Sequence, residues 1–325
     1  MTTQEWKFTA RDIAQKPDQF LPGHRACAGC APANVLRMVM KATRGPTIVT
    51  EATGCMEVVS SIYPYTSWAV PWLHTAFETA AANAAGIDAA LKAMKRKGQL
   101  KEHIDIIAFA GDGGTYDIGL QALSGAVERG HDFLFVLYDN EGYMNTGIQR
   151  SGGTPLGAST TTTPAGKVVP GKLQHKKPIT DIMVAHNIEY VATASPYYWK
   201  DMLTKVRKGL EVEGPAFLHV FAPCPRGWRS DPAKSIEYAK LAVESCVFPL
   251  YEVVNGNYTL SSPSKMFELA PQKKRPVTDY LKGQGRYRHL FTPQGKKVLD
   301  EIQRWTDERW TKLLVKSGCE APKPA

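Results

Sequence analysis

The sequence predicts an α/β protein: a mostly parallel sheet with helices on both faces, followed by an irregular C-terminal extension. Three observations carry this. Strand-like apolar runs at 104–110, 133–139 and 215–224 are continuous rather than alternating, as expected of strands buried on both faces. Helix-like segments separate them at spacings that suit βαβ units. Polar, glycine-containing turns follow each run, where an open parallel sheet places its ligands.

Taken in order, residues 1–22 read as an irregular arm. "GPTIVTEATGC" gives a short strand at 47–49 running into a loop. The alanine-rich "HTAFETAAANAAGIDAALKAMKRKGQ" suits a helix ending near Gly98. Strand 104–110 leads into "AGDGGTYDIG" and a helix over 117–129, closed by Gly130 as its left-handed cap. Strand 133–139 is followed by "DNEGYMNTGIQ" and a polar Gly/Thr/Pro stretch to Lys172, too long to be a plain connection. "PITDIMVAHN" and "WKDMLTKVRKGLEVEG" read as helices, "YVATAS" and "PAFLHVFAPC" as strands. The last hundred residues lose this rhythm, with helical runs at 235–245 and 295–318 around an irregular segment. The expected organisation is an arm (1–22), an α/β domain (23–235) and an extension (236–325).

Composition narrows the class. The chain of 325 residues is 43% hydrophobic and 22% charged, ordinary for a soluble globular protein. No apolar stretch approaches the roughly 20 residues that span a bilayer, and the polar N-terminus lacks the apolar core of a signal peptide. A cytoplasmic protein without membrane contact is expected. The net charge of +9 is spread without an aromatic and basic stripe, so nucleic acid is not an expected partner. It reads as a solvated basic face or as a docking surface for acidic groups.

Two constellations carry chemistry. Asp112 in "AGDGG" and Asn140 in "YDNEGYMN" are one helix and one strand apart, so both end at one sheet edge. With the Gly142 carbonyl they offer hard oxygen ligands for magnesium, and phosphate and water would complete the shell. A helix starting near Asp117 would turn its amides toward the same anion. An ordinary strand-to-helix turn also accounts for the glycines. The second constellation is Cys27 and Cys30 in "CAGC", Cys55 in "ATGC" and Cys224 in "PCP". Four thiolates from separate loops suit a [4Fe–4S] cluster or a zinc ion. Buried, unrelated thiols are the bland alternative. Cys246 reads as a core residue and Cys319 as free.

Together "HRACAGCAPANVLRMV", "EATGCMEVVSSIYPYTSWAVPWLHTAFETAAANAAG", "AGDGGTYDIGLQALSGAVERG", "YDNEGYMNTGIQRSGGTPLGASTTTTPAGK" and "CPRGW" resemble the β (thiamine diphosphate-binding) subunits of the 2-oxoacid:ferredoxin oxidoreductases, most of all the pyruvate branch. The likeness runs over roughly residues 20–300. It implies a thiamine diphosphate-binding fold with Asp112, Asn140 and Gly142 on magnesium. It also implies Gly54, Gly111, Gly113 and Thr146 around the cofactor, and Thr53 and Asn145 beside the reacting groups. Thr154 is implied as a possible phosphate or substrate contact, with the loop after Thr146 closing over the site. One [4Fe–4S] cluster would sit on Cys27, Cys30, Cys55 and Cys224.

The resemblance further implies reversible oxidative decarboxylation of a 2-oxoacid, pyruvate first, to acyl-coenzyme A and CO₂. Oxalate or an aryl glyoxylate are alternative substrates. Electrons would pass through the cluster to ferredoxin, and α, γ and ferredoxin-like δ subunits would complete a hetero-oligomer. A non-redox thiamine-dependent carboligase or decarboxylase, or a non-catalytic relay subunit, are the readings of another class. Two features depart from the family. Ala31 stands where CAGCG has glycine, and the glutamate that activates the cofactor, which in the family comes from another domain or subunit, has no obvious replacement here, with none of Glu51, Glu57, Glu78 or Glu141 assigned to that role.

Overall fold

A computed structural model describes residues 8–166 and 168–319; residues 1–7 of the expected arm lie outside them. Eight strands form one sheet: β1 (Thr47–Ala52), β2 (Trp72–Thr75), β3 (Asp105–Ala110), β4 (Phe133–Asp139), β5 (Tyr190–Ala194), β6 (Pro215–Phe221), β7 (Tyr251–Val254) and β8 (Asn257–Leu260). Their order is β2-β1-β3-β4-β6-β5-β7-β8. The pairs from β2 through β5 are parallel, and β7 and β8 are antiparallel.

The continuous apolar runs have the expected cause. Every residue of β3, β4, β5 and β6 is buried, because helices cover both faces. Alternate side chains of β3 feed opposite cores. Ile106, Ala108 and Ala110 face the helices Ala80–Arg96 and Leu120–Glu128, whereas Ile107 and Phe109 face Ala31–Lys41 and Trp199–Glu211. Ala80, Ala81, Ala84 and Ala85 line the buried side of their helix, and such small side chains let it lie close to the sheet. That helix ends where expected, with Gly98 left-handed at φ +70°, and Gly130 does the same at φ +68°.

Several elements differ from the sequence expectation. The arm is not irregular throughout: Ala10–Gln15 is helical behind a Thr9–Asp12 capping box, and Phe20 is buried and bridged to Trp68. β1 extends to Ala52 because β2, too short to signal itself, pairs along it. The helix expected over 117–129 begins at Leu120 and is preceded by a separate turn, Gly113–Tyr116. The segment read as irregular between the two C-terminal helices holds the β7–β8 hairpin, turned by Asn255 at φ +48° and Gly256 at φ +79°. Tyr280, Leu281, Tyr287 and Trp310 join the core built by β4 and β6. No described helix is long and apolar enough to cross a membrane.

Candidate active site

The site lies beyond the carboxyl ends of β1, β3 and β4, the crevice where open parallel sheets bind ligands. A pocket opens there. β1 contributes Thr53, Gly54 and Cys55, and β3 contributes Gly111, Asp112 and Gly113. The turn after β4 adds Asn140 and Gly142 through Thr146. The structure thus brings together every residue expected around the cofactor. Aromatic walls from Phe77, Tyr138 and Tyr143 and the thioether of Met144 complete the pocket. Phe77 and Tyr143 meet edge-on, 5.8 Å between centroids. They flank Gly113, where a Cβ would stand 2.2 Å from the Tyr143 ring and 2.3 Å from the Phe77 ring.

Asp112 is buried at the floor. Ser151 Oγ donates to its Oδ2 at 2.6 Å, and the backbone N–H groups of Asn140 and Glu141 both donate to Oδ1 at 3.2 Å. Burial, aided by the nearby Asp139 charge, holds the Asp112 carboxyl well above its ordinary range; Ser151 and Lys176 pull the other way. The Asn140 carboxamide faces two acceptors, the Gly142 carbonyl oxygen at 2.9 Å and Asp112 Oδ1 at 3.2 Å. With its oxygen turned inward, three oxygens meet with no proton between them. Neighbouring ligands of an octahedral magnesium bonded at 2.0–2.1 Å stand roughly 3 Å apart. The donor set fits that ion.

A buried polar network lies behind this turn. Asp139 accepts from Lys176 at 2.5 Å, His219 at 2.6 Å and Tyr116 at 2.7 Å. Burial alone would raise Asp139, but Lys176 and His219 outweigh it and hold the carboxyl well below its usual range. Glu141 is left-handed at φ +68°, and its carboxylate pairs with Lys176 at 3.1 Å and Arg286 at 2.5 Å. Nothing in the local sequence marks Glu141 as ion-paired, since Arg286 is 145 residues away. Ser151 was equally invisible, being one serine in a polar loop.

Three expectations need correction or refinement. Thr154 is fully buried and its hydroxyl donates to the Glu141 carbonyl at 2.9 Å, so it supports the turn and does not line the pocket. Asp117 does not start a helix aimed at the site; it accepts from Gly152 N–H at 2.8 Å and Tyr143 Oη at 3.0 Å. The loop after Thr146 packs down beside the site, with Ser151–Thr154 buried. None of Glu51, Glu57, Glu78 or Glu141 lines the pocket. Glu51 is buried against Trp72 Nε1 at 2.9 Å.

The cysteines gather next to the pocket. Cys55 forms part of its wall and opens the helix Cys55–Ser60. Cys30 precedes the helix Ala31–Lys41, and Cys224 precedes Pro225–Trp228, its sulfur accepting from Gly227 N–H. The Ala31 N–H donates to the Pro223 carbonyl at 3.3 Å, tying these two loops together. Because Ala31 is already helical, glycine is not needed there. Gly29 is left-handed at φ +71°, and a Cβ on it would meet the Pro232 carbonyl oxygen at 2.2 Å. Burial first, then the neighbouring thiols, pushes Cys30 and Cys55 up to about 12. Among the described residues no three His, Cys, Asp or Glu side chains are placed to share one metal ion. Cys246 is buried in the core and Cys319 is half-buried at the end of the last helix, as expected of residues outside the site.

Residues 52–220 match the family described as thiamine pyrophosphate enzyme, C-terminal TPP binding domain. The chain is 52% identical over 301 residues to pyruvate synthase subunit PorB of Methanocaldococcus jannaschii, covering 92% of this chain and 97% of that one. It is 48% identical to PorB of Thermotoga maritima, covering 98% of each. It is 46% identical to ketoisovalerate oxidoreductase subunit VorB of Pyrococcus abyssi, covering 91% of this chain and 92% of that one. A solved 2-oxoglutarate:ferredoxin oxidoreductase from Magnetococcus marinus shares the fold, with a TM-score of 0.53 at 23% identity over 69% of this chain and 78% of that one. The chain belongs to the thiamine diphosphate-binding β subunits of the 2-oxoacid:ferredoxin oxidoreductases.

Proposed function

We propose that this subunit carries out the oxidative decarboxylation of pyruvate to acetyl-coenzyme A and CO₂, two electrons leaving through a [4Fe–4S] cluster toward a ferredoxin-type acceptor. The observation that carries the reading is the convergence of the Asp112 carboxylate, the Asn140 carboxamide and the Gly142 carbonyl in a glycine-lined pocket whose wall contains Cys55. Magnesium would rest on those oxygens and hold the diphosphate. When bound, thiamine diphosphate supplies a nucleophilic carbon and an electron sink for decarboxylation.

The chain's own residues do the rest. Gly111 and Gly113 leave room for the cofactor, and the rings of Phe77, Tyr138 and Tyr143 exclude water from it. Thr53 Oγ1 is hydrogen-bonded to His74 Nε2 at 2.7 Å, a pair that can orient the substrate carboxylate at the pocket edge. Asn145 and Thr146 stand exposed at the mouth, where a 2-oxoacid and coenzyme A would enter. Cys27, Cys30, Cys55 and Cys224 would each bond a different iron of the cluster, so they need not converge on one point. Because no glutamate lines the pocket, the carboxylate that activates the cofactor is assigned to a partner subunit of a cytoplasmic hetero-oligomeric complex.

Pyruvate is favoured over branched 2-oxoacids by the identity to the PorB chains. The test uses the complex purified without oxygen. Pyruvate, 2-oxoisovalerate, oxalate and phenylglyoxylate are added in turn with coenzyme A while the visible absorption of the cluster is followed. Bleaching by pyruvate is expected. Bleaching by another acid alone reassigns the substrate, and no bleaching by any, with iron and cofactor present, overturns the redox reading.

A further inference from the structure

We infer that Arg286 and Trp228 form a positioning stack that grips the metal-binding turn and the Cys224 turn at once. Cofactor occupancy and the cysteine cluster are thereby mechanically coupled. The inference rests on the reading of the pocket as a magnesium–thiamine diphosphate site.

The Arg286 guanidinium lies 4.0 Å from the centre of the Trp228 ring, and both side chains are fully buried. Each partner reaches a different side of the same turn. Trp228 Nε1 donates to the Asn140 carbonyl at 2.8 Å. Arg286 Nη2 pairs with Glu141 Oε2 at 2.5 Å, while its Nε donates to Gln284 at 3.0 Å. Asn140 and Glu141 are the residues whose N–H groups hold Asp112 Oδ1. A non-glycine residue at φ +68°, such as Glu141, persists only where its surroundings over-determine it.

The other end of the stack belongs to the cysteines. The Trp228 N–H donates to the Cys224 carbonyl at 2.9 Å. Gly227, between them, lies so close to Met144 that a Cβ would stand 2.0 Å from the sulfur, and Met144 itself lines the pocket. A shift of the 140–144 turn is therefore transmitted to the backbone that carries the Cys224 thiol.

Arg286 touches none of the reacting groups, so it is a positioning residue. Arg286→Met removes both the ion pair and the stack; Arg286→Lys keeps a charge for Glu141 but loses the planar stack. In the anaerobic complex freed of cofactor, magnesium–thiamine diphosphate is titrated while visible circular dichroism of the cluster is recorded. For Arg286→Met a loss of affinity of about tenfold or more is expected, the range of supporting partners of metal ligands. Arg286→Lys is expected to recover most of the affinity, and both variants to blunt the cluster's spectral response to cofactor. If Arg286→Met does not assemble, Trp228→Phe, which loses the N–H to Asn140 and part of the ring under Arg286, is expected to weaken binding and the spectral response together. Wild-type affinity and spectral response in the variants would overturn the coupling. Failure of the wild-type complex to bind magnesium–thiamine diphosphate would instead overturn the site assignment beneath it.

Discussion

Ser151 Oγ donates to Asp112 Oδ2 at 2.6 Å across 39 residues of sequence, while Oδ1 accepts from the Asn140 and Glu141 N–H groups and faces the Asn140 carboxamide. Hydrogen bonds to both oxygens fix the rotamer, and Oδ1 is the one on the side of the proposed ion. Such support is common around metal-binding carboxylates, whose hydrogen-bonded partners fix their orientation.

Ser151→Ala should therefore weaken magnesium–thiamine diphosphate binding by about tenfold. The pH dependence should move too. Asp112 is already held above its ordinary range by burial and Asp139, and Ser151 opposes that shift. The ion needs the carboxylate, so affinity falls as pH drops through the Asp112 value. Removing Ser151 raises that value further and moves the fall to higher pH. Titrations of the cofactor-free complex at several pH values check both; an unmoved profile would mean that Ser151 plays no part in tuning Asp112.

Gly113→Ala should close the pocket. The added methyl would stand 2.2 Å from Tyr143 and 2.3 Å from Phe77, and the free space into which either ring could move is the cofactor's. A loss of about 1–3 kcal/mol in stability from overpacking is expected, with a larger loss of thiamine diphosphate affinity. Isothermal titration set beside thermal unfolding separates the two. Equal affinity in the variant would show that the cofactor does not lie against Gly113.

Glu51 makes the fold pH-sensitive. Its carboxyl is fully buried, takes one bond from Trp72 and leaves Oε1 without a partner. Burial pushes it from an ordinary 4.5 to about 8. A carboxyl raised on folding favours the folded state below its unfolded value, and that advantage is lost as pH climbs through the folded value. Stability should fall between pH 4.5 and 8, by about 5 kcal/mol at the upper limit. Glu51→Gln should flatten this slope, matching wild type near the low end and exceeding it at the high end. Denaturant unfolding across that range measures it, and parallel slopes for the two proteins would exclude Glu51 as the source.

What the sequence revealed followed from locality. The runs 104–110 and 133–139 announced buried strands, and the turns behind them placed Asp112 and Asn140 at one edge, because neighbouring strands of a parallel sheet end together. The cysteine turns were readable from their glycines and prolines. β2 was hidden because four residues, with Leu73 and His74 both exposed, give no period. The β7–β8 hairpin carries a readable Asn255-Gly256 turn, but its four-residue strands are too short for their alternation to stand out after the long helical run. The partners of Glu141 were hidden for a different reason: Arg286 lies beyond the hairpin, and only folding brings it to the turn. Removing residues 240–325 would take away two strands and Arg286 together, so such a truncation tests folding before it tests assembly.

The cysteines supply the last prediction. Cys27 is the exposed member of the four, and Cys30, Cys55 and Cys224 are half-buried around the loops that join 27–31 to 223–224. Cys27→Ser should preserve the fold, since the thiol is exposed and the loop is fixed by Gly29 against Pro232. It should nonetheless lower iron and sulfide in the anaerobically purified complex and destabilise what cluster remains, because an alkoxide is a poorer ligand for iron than a thiolate. Cys55→Ser should do the same and also disturb cofactor binding, because this residue belongs to the pocket wall. Cys246→Ala removes a core thiol far from the site and should cost stability alone, with iron content unchanged. Cys319→Ser should change neither. Iron and acid-labile sulfide assays on the four variants read the pattern directly. Loss of iron from Cys246→Ala or Cys319→Ser at wild-type stability, with Cys27→Ser fully loaded, would show that the cluster rests on other ligands.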